Sequence, residues 1–333
     1  MGDSSITEGL CRLLAGALGP DVTIKQLHQL GGGSSRENWA FEASAPSSDL
    51  GDCPLLLRRD PAASLANTDR ATEVGLLRAL STTVLPTPVV VADDLSGALL
   101  GRPSVVLERA AGRADRSVLR DRDPYGLGAD RRHELIVELC DLLVELHTLN
   151  PASTGLFDVF GPPAADPARA EVDRWAGELT RHKLGAQPEL TYVTAWLEEH
   201  APPPPPYTTL VHGDFRPANV LIHEGRWGTV LDWEFAHLGD PAEDVGWYTT
   251  SVYRNEHFGD DGTVCADDFV RRYTDHAGVA IEPARLHFWE VFALFKLGVI
   301  AVAGVDAFLN GGSDRVSAPA ERILQLAVAE AIS

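Results

Sequence analysis

The sequence lacks any CxxC pair, carries few cysteines and is short of basic residues. Cys11, Cys53, Cys140 and Cys265 stand far apart, with neither the pairing of a zinc site nor the density of a disulfide framework. A reducing, cytoplasmic compartment is the simpler expectation. Lys and Arg number 28 against 48 Asp and Glu, a net charge of -20. Nucleic acids and anionic membranes select basic faces, so neither is an expected partner. No basic stretch followed by an apolar one opens the chain, as a secretory leader would. An uninterrupted apolar run is missing as well. Phe288 to Leu309 comes nearest, but Glu290, Lys296 and Asp306 break it, and it reads as a buried helix rather than a membrane span.

What is present is an ordinary globular composition, 44% hydrophobic and 23% charged, over 333 residues. That length exceeds what one core usually organises, so two lobes are expected. The first part is strand-rich, with runs at Ile24 to Leu30, Asn38 to Ala43, Leu55 to Arg59, Val89 to Val91 and Ser104 to Glu108. From Asp130 onward the spacing is helical, which places the boundary near residue 110. Ser44 to Pro54 reads as a polar loop.

Between the first two strands lies Gly31-Gly32-Gly33-Ser34-Ser35. A Gly/Ser loop lets backbone N–H groups approach an anion; the competing reading is a plain hairpin tip. In Leu55-Leu56-Leu57-Arg58-Arg59, parity sets Arg58 on the face of Leu56 and Arg59 on that of Leu55 and Leu57. The two arginines must point opposite ways, and which one could meet a phosphate is open at this point. Thr68 is placed to cap a helix to about Leu80, in which Glu73, Leu77 and Leu80 share a stripe. A glutamate there is costly without a partner. A strand arginine would supply one, and a solvated edge position is the alternative.

The stretch Leu210 to Asp244 carries the chemistry. A short strand, Tyr207 to Val211, delivers His212-Gly213-Asp214 into a loop, and Asn219 follows five residues after Asp214. Val220 to Ile222 and Thr229 to Leu231 read as a hairpin around a Gly-containing turn, with the second strand ending on Asp232. Asp214, Asn219 and Asp232 thereby gather at one end of a small sheet. Two carboxylates and an amide oxygen suit Mg²⁺, a hard cation that shares its oxygens with substrate phosphates. His147 and His212 read as packing and loop-supporting residues.

HGDFRPANVL followed by VLDWE and GDPAED resembles the aminoglycoside phosphotransferase-like family of small-molecule kinases, which shares the protein-kinase fold. GGGSSRENWAF and LLLRRDP are most similar to the subgroup of kinase domains fused to acyl-CoA dehydrogenases. The resemblance implies an α+β, bilobal fold. Residues 1–109 would form a small nucleotide-binding lobe with an antiparallel sheet, and residues 110–333 a larger, mainly helical catalytic and substrate-binding lobe. It further implies ATP and Mg²⁺ as cofactors and a small hydroxyl-bearing molecule as acceptor. Gly32, Gly33, Ser34 and Ser35 would cover the phosphates, Arg58 would pair with them and with Glu73, and backbone groups of Glu108 and Ala110 would hold adenine. Asp214 would be the catalytic base, Asn219 and Asp232 the metal ligands, and Asp244 a tie between the loop and the next helix.

Arg58 stands where relatives often have lysine, Gly213 stands where protein kinases have arginine, and Asp232-Trp233-Glu234 replaces DFG. No APE segment follows, which argues against a protein substrate. The subgroup hints at a hydroxyacyl-type acceptor. An antibiotic phosphotransferase would instead need acidic substrate contacts, for which Asp260, Asp261, Asp267 and Asp268 are candidates. A nucleotide-binding protein without transfer activity is the reading from another class.

Overall fold

The computed structural model describes residues 3–30, 37–46, 51–60, 70–182, 185–259, 264–310 and 320–332. The Gly/Ser loop with Gly32, Gly33, Ser34 and Ser35, the cap residue Thr68, and Asp260 and Asp261 all lie outside them. The chain divides into two compact units, Met1–Ala111 and Gly112–Ser333.

The first unit joins helix α1 (Asp3–Leu18) to strands β1 (Thr23–Leu30), β2 (Glu37–Ala45) and β3 (Gly51–Arg59), then α2 (Arg70–Leu80), β4 (Val90–Asp94) and β5 (Ser104–Glu108). The strands form one antiparallel sheet in the order β1-β2-β3-β5-β4. Ile6, Leu10, Leu14 and Leu18 recur every fourth residue along α1, so one stripe faces inward. It packs on Phe41, Ala43, Leu55, Leu57 and Val106. The supposed polar loop Ser44 to Pro54 is shorter than expected. Pairing continues through Ser44↔Asp52 to Ala45↔Gly51, because Ala43 and Ala45 alternate into the core and keep the strand bound although its outer residues are polar.

The second unit contains α3 (Gly128–His147), α4 (Leu156–Phe160), α5 (Pro167–His182), α6 (Pro188–His200), α7 (Ala242–Thr249), α8 (Arg254–His257), α9 (Ala266–Ala277), α10 (Pro283–Leu309) and α11 (Ala320–Ala331). Between α6 and α7 run β6 (Thr209–Val211), β7 (Val220–His223), β8 (Arg226–Val230) and β9 (His237–Gly239). β7 and β8 form the expected hairpin, while β6 pairs with β9, a three-residue strand that periodicity does not reveal. α10 is apolar and long enough to cross a membrane by composition, yet 67% of its apolar window is buried within the protein. It is the hub of the core: Phe288, Trp289, Phe292, Phe295 and Val299 meet residues of α5, α6 and α11.

α7 lies hard against α10 because Gly246 has no side chain. A Cβ there would sit 2.6 Å from Trp289 Cβ and 2.8 Å from its carbonyl carbon. Gly246→Ala is therefore expected to cost about 1–3 kcal/mol or more through overpacking. Gly16, on the exposed side of α1 with nothing within 4 Å of a Cβ, is the control: Gly16→Ala should stabilise by about 0.5–1 kcal/mol. Urea denaturation of both variants tests this, and equal stabilities would contradict the close packing of α7 on α10.

Candidate active site

The loop after β6 is held from behind by one carboxylate. Asp244, in the first turn of α7, accepts the His212 N–H through Oδ2 at 2.6 Å and the Gly213 N–H through Oδ1 at 2.8 Å. His147, at the end of α3, places Nε2 3.1 Å from the same Oδ2 and Nδ1 2.7 Å from the Tyr273 hydroxyl. The His147 carbonyl accepts the Thr209 hydroxyl of β6. Burial alone would raise the Asp244 pKa, but the His147 hydrogen bond and charge, with His212, hold it below the ordinary carboxylate value.

Gly213 takes φ 78°, and a Cβ there would lie 2.8 Å from the Phe235 carbonyl oxygen. Conformation and space both demand glycine. Its carbonyl accepts Lys296 Nζ at 2.7 Å from the middle of α10. His212 Nδ1 accepts the Asp214 N–H at 3.2 Å, so its proton is on Nε2, which donates to the Leu231 carbonyl at 2.8 Å.

These restraints set Asp214, which is buried. A 3₁₀ turn at Pro217–Asn219 folds Asn219 back, and its Nδ2 donates to the Asp214 carbonyl at 2.9 Å and to Asp214 Oδ2 at 2.7 Å. With the amide nitrogen committed twice, Asn219 Oδ1 faces away from Asp214. Arg216 Nε lies 3.1 Å from Asp214 Oδ1, close enough for charge attraction but not aligned as a hydrogen bond. Burial pushes the Asp214 pKa up, the Arg216 charge opposes it, and Asp232 adds to it. The Leu231 N–H donates to the Asn219 carbonyl at 2.7 Å, which brings the next residue, Asp232, to the same place.

β8 ends at Val230, short of the expected Asp232. Asp232 instead turns the chain in the left-handed region, at φ 67° and ψ 53°, before the 3₁₀ turn Trp233–Phe235. Aspartate tolerates that conformation better than most residues. The Trp233 ring rests 4.6 Å from that of His212. Asp214, Asn219 and Asp232 are therefore gathered, by a turn rather than by a strand end. The Asn219 amide oxygen and the Asp232 carboxylate are hard oxygen donors of the kind Mg²⁺ takes, so the residues fit that ion.

In the first unit, Arg58 Nη1 lies 3.0 Å from Glu73 Oε1, and Arg70 Nη1 2.7 Å from Glu73 Oε2. Glu73 is buried, not a solvated edge residue. Arg59 points the other way, into Glu37 and the Leu100 carbonyl. It is Arg58 that pairs with the helix glutamate. At the end of β5, the Glu108 N–H is taken by the Val89 carbonyl and the Arg109 N–H by that of Pro54; Ala110 follows at once.

Asp268 is a cap. It accepts the Cys265 N–H at the start of α9 and pairs with Arg271, which removes it from the acidic substrate contacts. Two residues went unrecognised in the sequence. Arg216 stands inside the Asp214-to-Asn219 loop, where its position was itself a signal. Lys296 gave none, being one lysine in an apolar helix. Near it, Glu171, His237 and Glu243 offer ligand atoms within 4.8 Å of one another. Arg174 pairs with Glu171 and Lys296 with Glu243. A cavity of about 300 Å³ between α3 and α9 includes none of the loop residues.

A model of the phosphotransferase enzyme family matches residues 26–289. The chain belongs to that family. Among curated proteins, this phosphotransferase is 26% identical over 297 residues to acyl-CoA dehydrogenase family member 10 of Mus musculus, covering 84% of the chain and 27% of that protein. It is 24% identical over 332 residues to acyl-CoA dehydrogenase family member 11 of Gallus gallus, covering 94% and 40%. The chain thus spans well under half the length of these relatives. Among solved structures, a provisionally named aminoglycoside phosphotransferase of Ralstonia eutropha shares the fold, with TM-score 0.72 and 22% identity, covering 98% of this chain and 95% of that one. Aminoglycoside phosphotransferase APH(4)-Ia, in complex with AMP-PNP and hygromycin B, gives TM-score 0.62 at 18% identity, covering 97% and 98%. The fold is the kinase-like one of these phosphotransferases.

Removing the Asp244 carboxylate leaves two buried amides and His147 without their acceptor. Asp244→Ala is expected to cost about 3–5 kcal/mol, read by denaturant unfolding; a loss below about 1 kcal/mol would contradict the tether. His237 gives a pH test. Burial would lower its pKa, but Glu171 and Glu243 raise it from 6.5 to about 9. The folded value lies above the unfolded one, so the stabilisation is complete below about pH 6.5 and is lost as pH rises through about 9. Its size is about 3 kcal/mol. The stability gap between wild type and His237→Gln should shrink from pH 6 to pH 10, and a gap constant with pH would refute the assignment.

Proposed function

We propose that this phosphotransferase is an ATP- and Mg²⁺-dependent kinase that phosphorylates a hydroxyl on a small molecule. The observation that carries the reading is the convergence of Asp214, Asn219 and Asp232 in a loop braced on every side, with Asn219 Oδ1 turned away from Asp214. Asp214 orients the acceptor hydroxyl and takes its proton as the oxygen attacks the γ-phosphorus. The bond to the bridging oxygen breaks and ADP leaves. Asn219 and Asp232 would hold Mg²⁺, which when bound neutralises charge on the transferring phosphates.

In the first unit, Arg58, steadied by Glu73, meets the nucleotide phosphates. Arginine does so with a planar fork where lysine would offer a point charge. Glu108 and Ala110 take adenine through their backbone groups, and Gly32, Gly33, Ser34 and Ser35 cover the phosphates. The kinship to acyl-CoA dehydrogenase family members 10 and 11 supports a hydroxyacyl-type acceptor, and unpaired cysteines fit a cytoplasmic setting.

Asp214→Asn preserves the shape and the Asn219 contact but removes the base. It is expected to lower kcat about 10²- to 10⁴-fold, measured as ADP release with an acceptor panel. Undiminished transfer by this variant would remove Asp214 from the base role. Chelation of divalent ions should abolish turnover, and added Mg²⁺ should restore it.

A further inference from the structure

Beside Asp214, three guanidinium groups converge on the carboxylate of Glu256. Glu256, in α8, is 3% exposed. Its Oε2 meets Arg116 Nη2 at 2.9 Å, Arg116 Nε at 3.1 Å and Arg120 Nη2 at 3.8 Å. Its Oε1 lies 3.9 Å from Arg216 Nη1 and makes no hydrogen bond. The Arg216 guanidinium carbon lies over the Tyr253 ring, 5.4 Å from its centroid, and its Nε reaches Asp214.

One cation would neutralise Glu256. Asp214 and Asp232 face Arg216 as well; with Asp232 given to Mg²⁺ in the reading above, three positive charges stand against the two negative ones of Glu256 and Asp214, in a chain whose net charge is -20. The excess is local and built, because buried donors remain without acceptors. Arg120 Nε and Arg216 Nε are enclosed, yet neither makes a hydrogen bond. On α7 and just after it, Trp247 Nε1, Thr250 Oγ1 and Ser251 Oγ are buried and unbonded too, and the Trp247 ring lies 5.8 Å from that of Tyr253. Buried donors left open cost stability unless a ligand satisfies them.

A second feature points the same way. Trp175, Phe235 and Trp247 surround one point with their faces, an arrangement suited to a substrate cation. Here that place is filled by the protein's own Lys296, whose Nζ is 5.1–5.2 Å from each ring centroid while it holds the Gly213 carbonyl. The protein has occupied this aromatic cage with a cation of its own.

We propose that the acceptor is an anion: an alcohol that also carries a carboxylate or phosphate group, which Arg116, Arg120 and Arg216 bind beside Asp214. The site then disfavours amino-alcohol and aminoglycoside acceptors, whose ammonium groups would face this excess of positive charge. This rests on the kinase reading above and specifies its acceptor.

The test compares matched acceptors: small hydroxycarboxylates, hydroxyalkyl phosphates, the corresponding hydroxyamides, and amino alcohols. Hydroxycarboxylates or hydroxyalkyl phosphates should exceed the amides and the amino alcohols by about tenfold or more in kcat/KM, and the better of the two names the anion. Arg116→Gln and Arg120→Gln should each raise the KM of the anionic acceptor about tenfold, with rescue by Arg120→Lys and a KM for ATP within about twofold of wild type. Preference for amino alcohols would overturn the proposal. So would a rise confined to the ATP KM, since the arginines would then serve the nucleotide. Equilibrium dialysis of a labelled hydroxycarboxylate and a labelled hydroxyalkyl phosphate separates the two readings. Arginine-dependent binding with no transfer to any acceptor sinks the kinase reading and keeps the anion site, whereas no arginine-dependent binding of either sinks the anion site.

Discussion

The buried carboxylate of Asp244 is the constraint on which the second unit turns. It accepts two successive backbone amides, of His212 and Gly213, at the point where β6 becomes the loop. Those groups leave the strand ladder there and would be orphaned in the interior. A buried carboxylate is itself costly, and its second partner His147 offsets that cost. Through these bonds α3, β6 and α7 are fastened to one another, and Asp214 leaves the tether in a defined direction. The bonds that follow act in sequence: His212 to Leu231, Leu231 to Asn219, Asn219 to Asp214.

The electrostatics of the unit run opposite to those of the whole chain. An acidic protein concentrates Arg116, Arg120, Arg216 and Lys296 around the Asp214 loop, and sets two buried acids against them, Glu243 against Lys296 and Glu256 against the arginines. Much of the negative charge elsewhere is structural in a local sense, as at Asp268 on the end of α9 or Asp94, whose carboxylate accepts the N–H groups of Ala98, Leu99 and Leu100. The total charge is thus a poor guide to what the site prefers. Only the placement of each group tells.

Legibility differed sharply from residue to residue. Asp214, Asn219 and Asp232 were readable because a loop of fixed length and a hairpin with a glycine turn allow few geometries. The burial of α10 was readable because Glu290, Lys296 and Asp306 interrupt its apolar run. β9 was not, since three residues carry no period, and it exists only because β6 needs a partner. Strand parity established that Arg58 and Arg59 diverge, yet it carries no information about which face meets α2. The carboxylates of Glu37 and Glu73 decide that. Asp268 looked like part of an acidic patch until its neighbours showed it capping a helix.

By itself the sequence determined the kind of fold and the order of its parts, the spacing of the Asp214 loop, and the burial of α10 despite its apolar length. The first came with the resemblance carried by HGDFRPANVL, VLDWE and GDPAED, and the others follow from local spacing or from the cost of exposing apolar surface. Tertiary structure alone decided what charges surround Asp214 and what occupies the aromatic cage. Arg116, Arg120, Arg216, Glu256 and Lys296 are scattered over some 180 positions of the chain. No periodicity links them, and their meeting is set by how α7, α8 and α10 pack around a loop that Asp244 has already fixed.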